Sequence, residues 1–228
     1  MNASVSAPAG RQNKCLMKEI YFTFDDGPSD LTPYLLDILK NENIKASFFV
    51  TNQFERSDLL SRICEEGHLV GLHSYSHDFS SIYSSVDNFF HDLNRLEQLV
   101  YDNTGLKSEF LRFPGGTSNT RSRRYGGMIM PILLAEAKKR GYKVFDWNCE
   151  NGDGTDPGNS YSEYKKAGIQ SINGHDCAVF LSHCRPTDKE SIKSIISIAK
   201  WCRTNGYALK RLDEYCGKGL THLKLGSV

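Results

Sequence analysis

Short apolar runs that end in polar, chemically capable residues recur along this 228-residue chain, and that recurrence narrows its possible folds more than any other feature. Runs expected to be strands lie at residues 20–24, 46–50, 69–73, 109–113, 142–147, 177–182 and 207–210. Between them fall stripes at helical spacing, each expected to face a core: Leu31-Tyr34-Leu35-Ile38-Leu39, Phe89-Leu93-Leu96-Val100, Ile132-Leu133-Ala135-Ala137 and Ile192-Ile195-Ile196-Ala199. Strand and helix in alternation predict a parallel sheet. Seven such units, with polar groups gathered at strand ends, predict a barrel whose working face is the C-terminal mouth of its strands. At 39% hydrophobic and 24% charged residues, one sizeable core and a single domain are expected.

The first run ends in Thr23-Phe24-Asp25-Asp26-Gly27-Pro28, two adjacent carboxylates before a Gly-Pro turn. Successive strand side chains point to opposite faces, so both carboxylates can serve one point only if the backbone twists, and the Gly-Pro turn is expected to supply the twist. The third run leads into His73-Ser74-Tyr75-Ser76-His77, two imidazoles at a spacing that would share one helical face. Asp26 turned toward His73 and His77 would give three protein ligands with positions left open, the pattern of a catalytic rather than a structural zinc site. Asp25 is then left to act as a base on the attacking water. Neither motif decides the matter alone, because Asp-Asp-Gly-Pro is a good turn sequence and an isolated HxxxH pair is often a solvated helix face. Their order, each at the end of an expected strand, is what favours a site. Three more runs end in the same manner: in Arg112-Phe113-Pro114-Gly115-Gly116, in Asp146-Trp147 followed by Glu150 and Asp153, and in Leu181-Ser182-His183.

In these five strand ends the chain resembles the polysaccharide deacetylases of carbohydrate esterase family four, the NodB-homology domain. The resemblance bounds a catalytic domain at residues 18–216, between a leader or linker at 1–17 and a C-terminal tail at 217–228. It implies a distorted (β/α) barrel with about seven parallel strands. It also implies a divalent metal, zinc first and cobalt or another divalent ion next, held by Asp26, His73 and His77. Asp25 would be the catalytic base, Arg112 would orient it, and His183 would protonate the leaving amine. Leu181 would line the pocket for the acetyl methyl, and a backbone N–H near Gly115 would help stabilise the oxyanion. Two departures from the family pattern stand out. Gly115 occupies a position that often carries an aromatic residue, and the fourth motif reads Glu150-Asn151-Gly152-Asp153-Gly154, with Glu for its first Asp and Gly for its Trp. Trp147 is expected to cover the pocket instead, and of Asp146, Glu150 and Asp153 the last is expected to partner His183. The implied substrate is the N-acetylglucosamine unit of a polysaccharide, peptidoglycan first, with chitooligosaccharides and acetylxylan as alternatives. A glycan-binding pseudoenzyme and a metal-dependent amidase for small substrates are the competing readings.

A net charge of +1 offers no broad field for nucleic acid or an anionic membrane. Arg121, Arg123 and Arg124 do form a local basic cluster, expected to be a solvated loop, with contact to an anionic wall polymer as the alternative. No run reaches the roughly eighteen apolar residues of a membrane span. The opening residues lack the apolar core of a signal peptide, and Met1 to Lys14 reads as a flexible leader, the remnant of an export segment or a linker. Following the implied polymer, the expected location is the cell envelope or outside the cell. Seven cysteines without CxxC spacing argue against a full disulfide framework or a Cys-rich zinc site. Cys184, although it adjoins His183, is expected to be a buried apolar side chain rather than a nucleophile.

Overall fold

The computed structural model describes residues 17–155, 158–217 and 219–222. The expected leader through residue 16, with Cys15, and residues 223–228 of the expected tail lie outside them. Strand β1 (Lys18–Asp25) is followed by α1 (Thr32–Asn41), β2 (Ser47–Val50), α2 (Leu60–Glu65), β3 (Leu69–Leu72), α3 (Phe79–Ile82), α4 (Val86–Thr104), β4 (Phe110–Leu111), α5 (Arg121–Gly126), α6 (Ile129–Lys139) and β5 (Lys143–Val144). The alternation ends with β6 (Cys149–Glu150), α7 (Tyr161–Ile172), β7 (Cys177–His183), α8 (Lys189–Thr204) and β8 (Tyr207–Lys210). The paired strands are parallel, in the order β5-β4-β3-β2-β1-β7-β6. β8 pairs Lys18–Tyr21 of β1, ahead of the stretch Thr23–Asp25 that β2 pairs. Only residues 145–148 separate β5 from β6, the two ends of that order. The sheet therefore curls until its edges approach, which is the distorted (β/α) barrel expected from the sequence.

Alternation along β1 sorts its side chains. Tyr21 joins Phe49, Phe110, Phe145, Val179 and Leu212 inside the barrel, while Ile20, Phe22 and Phe24 face outward into the apolar layer shared with the helices. A strand apolar on both faces is what helices covering a parallel sheet require. Continued two and four residues beyond Tyr21, the inward set becomes Thr23 and Asp25, so polar groups arrive at the C-terminal mouth.

Three expectations are corrected. The run at 142–147 is not one strand: β5 stops at Val144, and the Asn148 side chain accepts from Val179 N–H at 2.7 Å and donates to Cys177 C=O at 2.9 Å. Those bonds carry the chain across to β7, and the short β6 follows. The stripe on α6 was phased wrongly, since Ile132 is 58% exposed and the buried face is Met130, Leu133, Leu134 and Ala137 with Ile129, the true i, i+3, i+4, i+7 set. The expected tail does not leave the domain. Leu220 bridges to Phe145, its N–H bonding Val144 C=O at 3.0 Å and its C=O accepting from Asp146 N–H at 2.6 Å. Helix α7, without a strong apolar stripe, was missed; its signal was the Ser160–Glu163 capping box.

Candidate active site

Asp25 closes β1, and the chain turns immediately after it. The turn is made at Asp26 itself, whose φ of 71° is left-handed, and not only by the Gly-Pro pair that follows. Its carbonyl is pinned by the Thr51 hydroxyl at 2.8 Å and the Gln53 amide at 3.2 Å. That conformation costs a non-glycine residue about 1–2 kcal/mol, and it swings the Asp26 carboxylate toward the two histidines. His73 follows β3 directly, but His77 is not one helical turn further on. Residues 73–78 are irregular, with a bend at 75–76, and His77 also has a left-handed φ, 54°. The expected helical face is therefore wrong, although the two rings still stack with centroids 5.4 Å apart.

The Asp26 Oδ1 atom lies 3.2 Å from His77 Nε2 and 3.6 Å from His73 Nε2, and one ligand atom from each of the three residues falls within 4.8 Å of the others. Two ligands held tetrahedrally around one zinc at its usual bond length stand roughly 3.3 Å apart, so the spacing fits. The chemistry fits as well. His73 Nδ1 donates to Arg112 C=O at 2.7 Å, which leaves Nε2 as the lone-pair atom facing the group. Burial, aided by neighbouring His77, holds the His73 imidazole neutral by pulling its pKa down to about 3. Asp26 Oδ1 is buried with no hydrogen-bond partner, a costly arrangement that a cation would relieve.

Behind the triad lies Arg112, wholly buried at the end of β4. It donates to Asp25 Oδ1 at 2.8 Å, Thr23 Oγ1 at 2.7 Å, Phe145 C=O at 2.9 Å and Asp146 C=O at 3.1 Å, with its guanidinium over the Phe49 ring. Asp25 is thus oriented from below, while its Oδ2 stands 3.9 Å from His73 Nε2. Burial drives the Asp25 pKa up, and the charges of Arg112 and His183 oppose it without cancelling it.

His183 ends β7 as the register partner of Asp25 on the adjacent strand. Its Nδ1 bonds Asp153 Oδ1 at 2.6 Å, and Asp153 Oδ2 accepts from Ser182 Oγ, Ser191 Oγ and His183 N–H at 2.7, 2.5 and 3.0 Å. The other two acids of the fourth motif are engaged elsewhere. Glu150 accepts from Trp147 Nε1 at 3.1 Å, and Asp146 binds the Thr117 hydroxyl and N–H and the His222 N–H. Burial alone would raise Asp153 and lower His183; their mutual bond, with the serine hydroxyls, wins, leaving Asp153 at about 2 and His183 at about 9. Gly154 is required here, because a Cβ on it would meet His183 Cε1 at 2.8 Å.

Gly115, Trp147 and Leu181 line the same cavity of about 240 Å³ as the two aspartates and three histidines. All ten residues singled out in the sequence thus converge, Arg112 beneath Asp25 and Asp153 behind His183. A larger hollow of about 500 Å³, lined by Leu69, Phe110 and Leu106, lies at the opposite ends of the strands and holds no comparable set.

The family model for polysaccharide deacetylases matches residues 12–127. The chain belongs to the polysaccharide deacetylase family. This deacetylase is 32% identical to the catalytic domain of a peptidoglycan N-acetylglucosamine deacetylase from Eubacterium rectale, with a TM-score of 0.86 over 99% of this chain and 98% of that one. It is 30% identical over 204 residues to a peptidoglycan-N-acetylmuramic acid deacetylase of Bacillus subtilis, covering 86% of this chain and 71% of the relative. It is 29% identical over 210 residues to a peptidoglycan-N-acetylglucosamine deacetylase of Listeria monocytogenes, covering 89% of this chain but only 40% of that protein.

One further residue of the deacetylase supports the site. Asp92 on α4, only 6% exposed, accepts from Tyr75 N–H at 2.6 Å and Ser76 N–H at 3.1 Å, and so ties down the bend that carries His77. Nothing in the sequence marked it, since it sits as one acid within a helix. If Asp26, His73 and His77 hold a cation, Asp92→Ala is expected to weaken the affinity for added zinc by about 10–100-fold, as loss of an outer partner does at other metal sites. Chelator competition measures it, and an unchanged affinity would show that the bend holds itself.

A pH limit is the expected consequence of the Asp153–His183 pair. If His183 must be protonated to give up its proton, activity is lost as pH rises through about 9. In Asp153→Asn the carboxylate charge that raises the imidazole is gone while burial, which lowers it, stays. The alkaline limb of the rate profile should therefore move to lower pH, and a limb that stays in place would remove His183 from the proton-donating role.

Proposed function

We propose that this deacetylase is a metal-dependent N-deacetylase that removes the acetyl group from N-acetylglucosamine units of peptidoglycan, working in the cell envelope where that polymer lies. The reading rests on one arrangement above all: Asp25 and His183, register partners on adjacent strands, flank the open Asp26–His73–His77 group within one cavity. A divalent cation, zinc first, held by those three residues would polarise the acetyl carbonyl and make water acidic enough to attack near neutral pH.

The protein's own groups supply the rest. Asp25 takes the proton of the attacking water, and its elevated basicity suits that task. Arg112 keeps the carboxylate aimed and ionised. The water oxygen bonds to the acetyl carbon, and a backbone N–H near Gly115, which borders the cavity with φ of 77°, is the donor proposed for the resulting oxyanion. As the carbon–nitrogen bond breaks, His183 delivers its Nε2 proton to the nitrogen, releasing acetate and a free amine. Leu181 presents an apolar wall for the methyl group.

The names of the Eubacterium rectale and Listeria monocytogenes relatives favour peptidoglycan. The test is acetate release from peptidoglycan, chitooligosaccharides and acetylxylan after chelation and after zinc or cobalt is restored. Release from peptidoglycan that depends on the metal supports the proposal. Preference for another polymer reassigns the substrate, and glycan binding without release would make the chain a pseudoenzyme.

A further inference from the structure

The mechanism uses neither of the two arginines that border the cavity. Arg121, at the start of α5, borders it together with Arg185, but the two differ in what holds them. Arg185 is committed, donating to Asp188 Oδ2 at 2.9 Å and to Asp153 C=O at 2.7 Å. Arg121 is exposed, and its guanidinium carbon lies 5.3 Å from the centroid of the Phe79 ring. Among the described residues it has no other partner. Phe79 in turn meets His77 edge to face at 5.4 Å, so the guanidinium is two ring contacts from the metal-ligand group.

A guanidinium that rests near an aromatic face leaves its in-plane N–H donors free. The result is a charged fork at the rim of the cavity, suited to a planar anion such as a carboxylate. Its place matters, because a group bordering the cavity that holds Asp25 and His183 faces the neighbourhood of the reacting sugar rather than distant polymer. Chitooligosaccharides and acetylxylan carry no charge there. Peptidoglycan does, either as the lactyl carboxylate of the alternating sugar or as carboxylates of the attached peptide.

We propose that Arg121 is a specificity-determining residue that binds a carboxylate of the glycan next to the acetylated sugar, and so selects anionic over neutral polymers. The inference rests on the proposed deacetylase activity. It deepens that activity by naming the charge class of its substrate.

Three substrates test it: neutral chitotetraose, peptide-free glycan strands bearing lactyl carboxylates, and strands with their stem peptides. The readout is kcat/KM for acetate release by the wild type, Arg121→Gln and Arg121→Lys. The expected result is a fall of about tenfold in the anionic-to-neutral selectivity ratio in Arg121→Gln, the size of a charge-assisted hydrogen bond at a partly exposed site, carried by KM, with partial rescue in Arg121→Lys. A drop confined to the peptide-free strands identifies the lactyl group, and one confined to the peptide-bearing strands identifies the stem. The neutral arm also reports whether the variant is folded. An unchanged ratio on both anionic substrates overturns the role of Arg121 while the deacetylase reading stands. Absence of acetate from all three substrates with the metal-loaded wild type overturns the proposed N-deacetylation of peptidoglycan, and this inference with it.

Discussion

Asp25→Asn should lower kcat for acetate release by about 10²–10⁴-fold, the usual worth of a positioned general base, while the protein still binds one equivalent of zinc. The two halves of that expectation come from different atoms. Asp25 Oδ1 is taken by Arg112 at 2.8 Å, and Oδ2 stands apart from the Asp26–His73–His77 group, 3.9 Å from His73 Nε2. An amide in its place can still accept from Arg112 but cannot take a proton. Asp26→Asn is the informative contrast, because it removes the charge from the ligand whose Oδ1 has no other partner, and zinc should be lost with activity. Rate measurements paired with metal analysis of the same samples decide between the roles. A variant at position 25 that loses zinc would be a ligand, and one that keeps its rate would not be the base.

The larger effect on stability is expected at Arg112. Removing one member of a buried ion pair leaves the other charge uncompensated, at a cost of about 3–5 kcal/mol. Arg112→Met does more, because Thr23, Phe145 and Asp146 lose a donor as well. For a domain of this size the melting temperature should fall by roughly 6–20 °C. The same substitution made in Asp25→Asn should cost less, since the stranded carboxylate is no longer there. A double-mutant cycle in urea isolates that coupling. If Arg112→Met melts with the wild type, the guanidinium is not what holds the barrel mouth together.

The direction of the Asp25 pKa shows where local reasoning reaches its end. A carboxylate next to a cation is expected to be more acidic, and Arg112 does act in that sense. Yet the net direction is upward, because burial is the largest influence and burial is made by many residues at once. The upward direction suits the chemistry, since a stronger base abstracts a proton more readily. A divalent cation held by Asp26, His73 and His77 would add its charge to that of Arg112 and favour the ionised carboxylate.

The pairing in the fourth motif was decided in a similar way. Asp153 is the one of Asp146, Glu150 and Asp153 that the sequence reading favours, but their separation does not exceed what a loop can rearrange. What distinguishes Asp153 is the set of donors around it, Ser182 and Ser191 with His183, two of them on β7 and one on α8. That set exists only once α8 packs behind β7.

Much of the site was legible because strand periodicity is local. Apolar runs ended where Asp25, His73, Arg112 and His183 begin, and side chains that alternate along parallel strands must emerge at one mouth. The residue types alone then named the donors available for a metal, a base and an acid. Tertiary structure decided their directions: the left-handed backbone at Asp26 and His77, the grip of Asp92 on the bend, and the choice of Asp153. Each of these is set by partners many residues away, and a conformation that is unfavourable by itself persists only when such partners hold it.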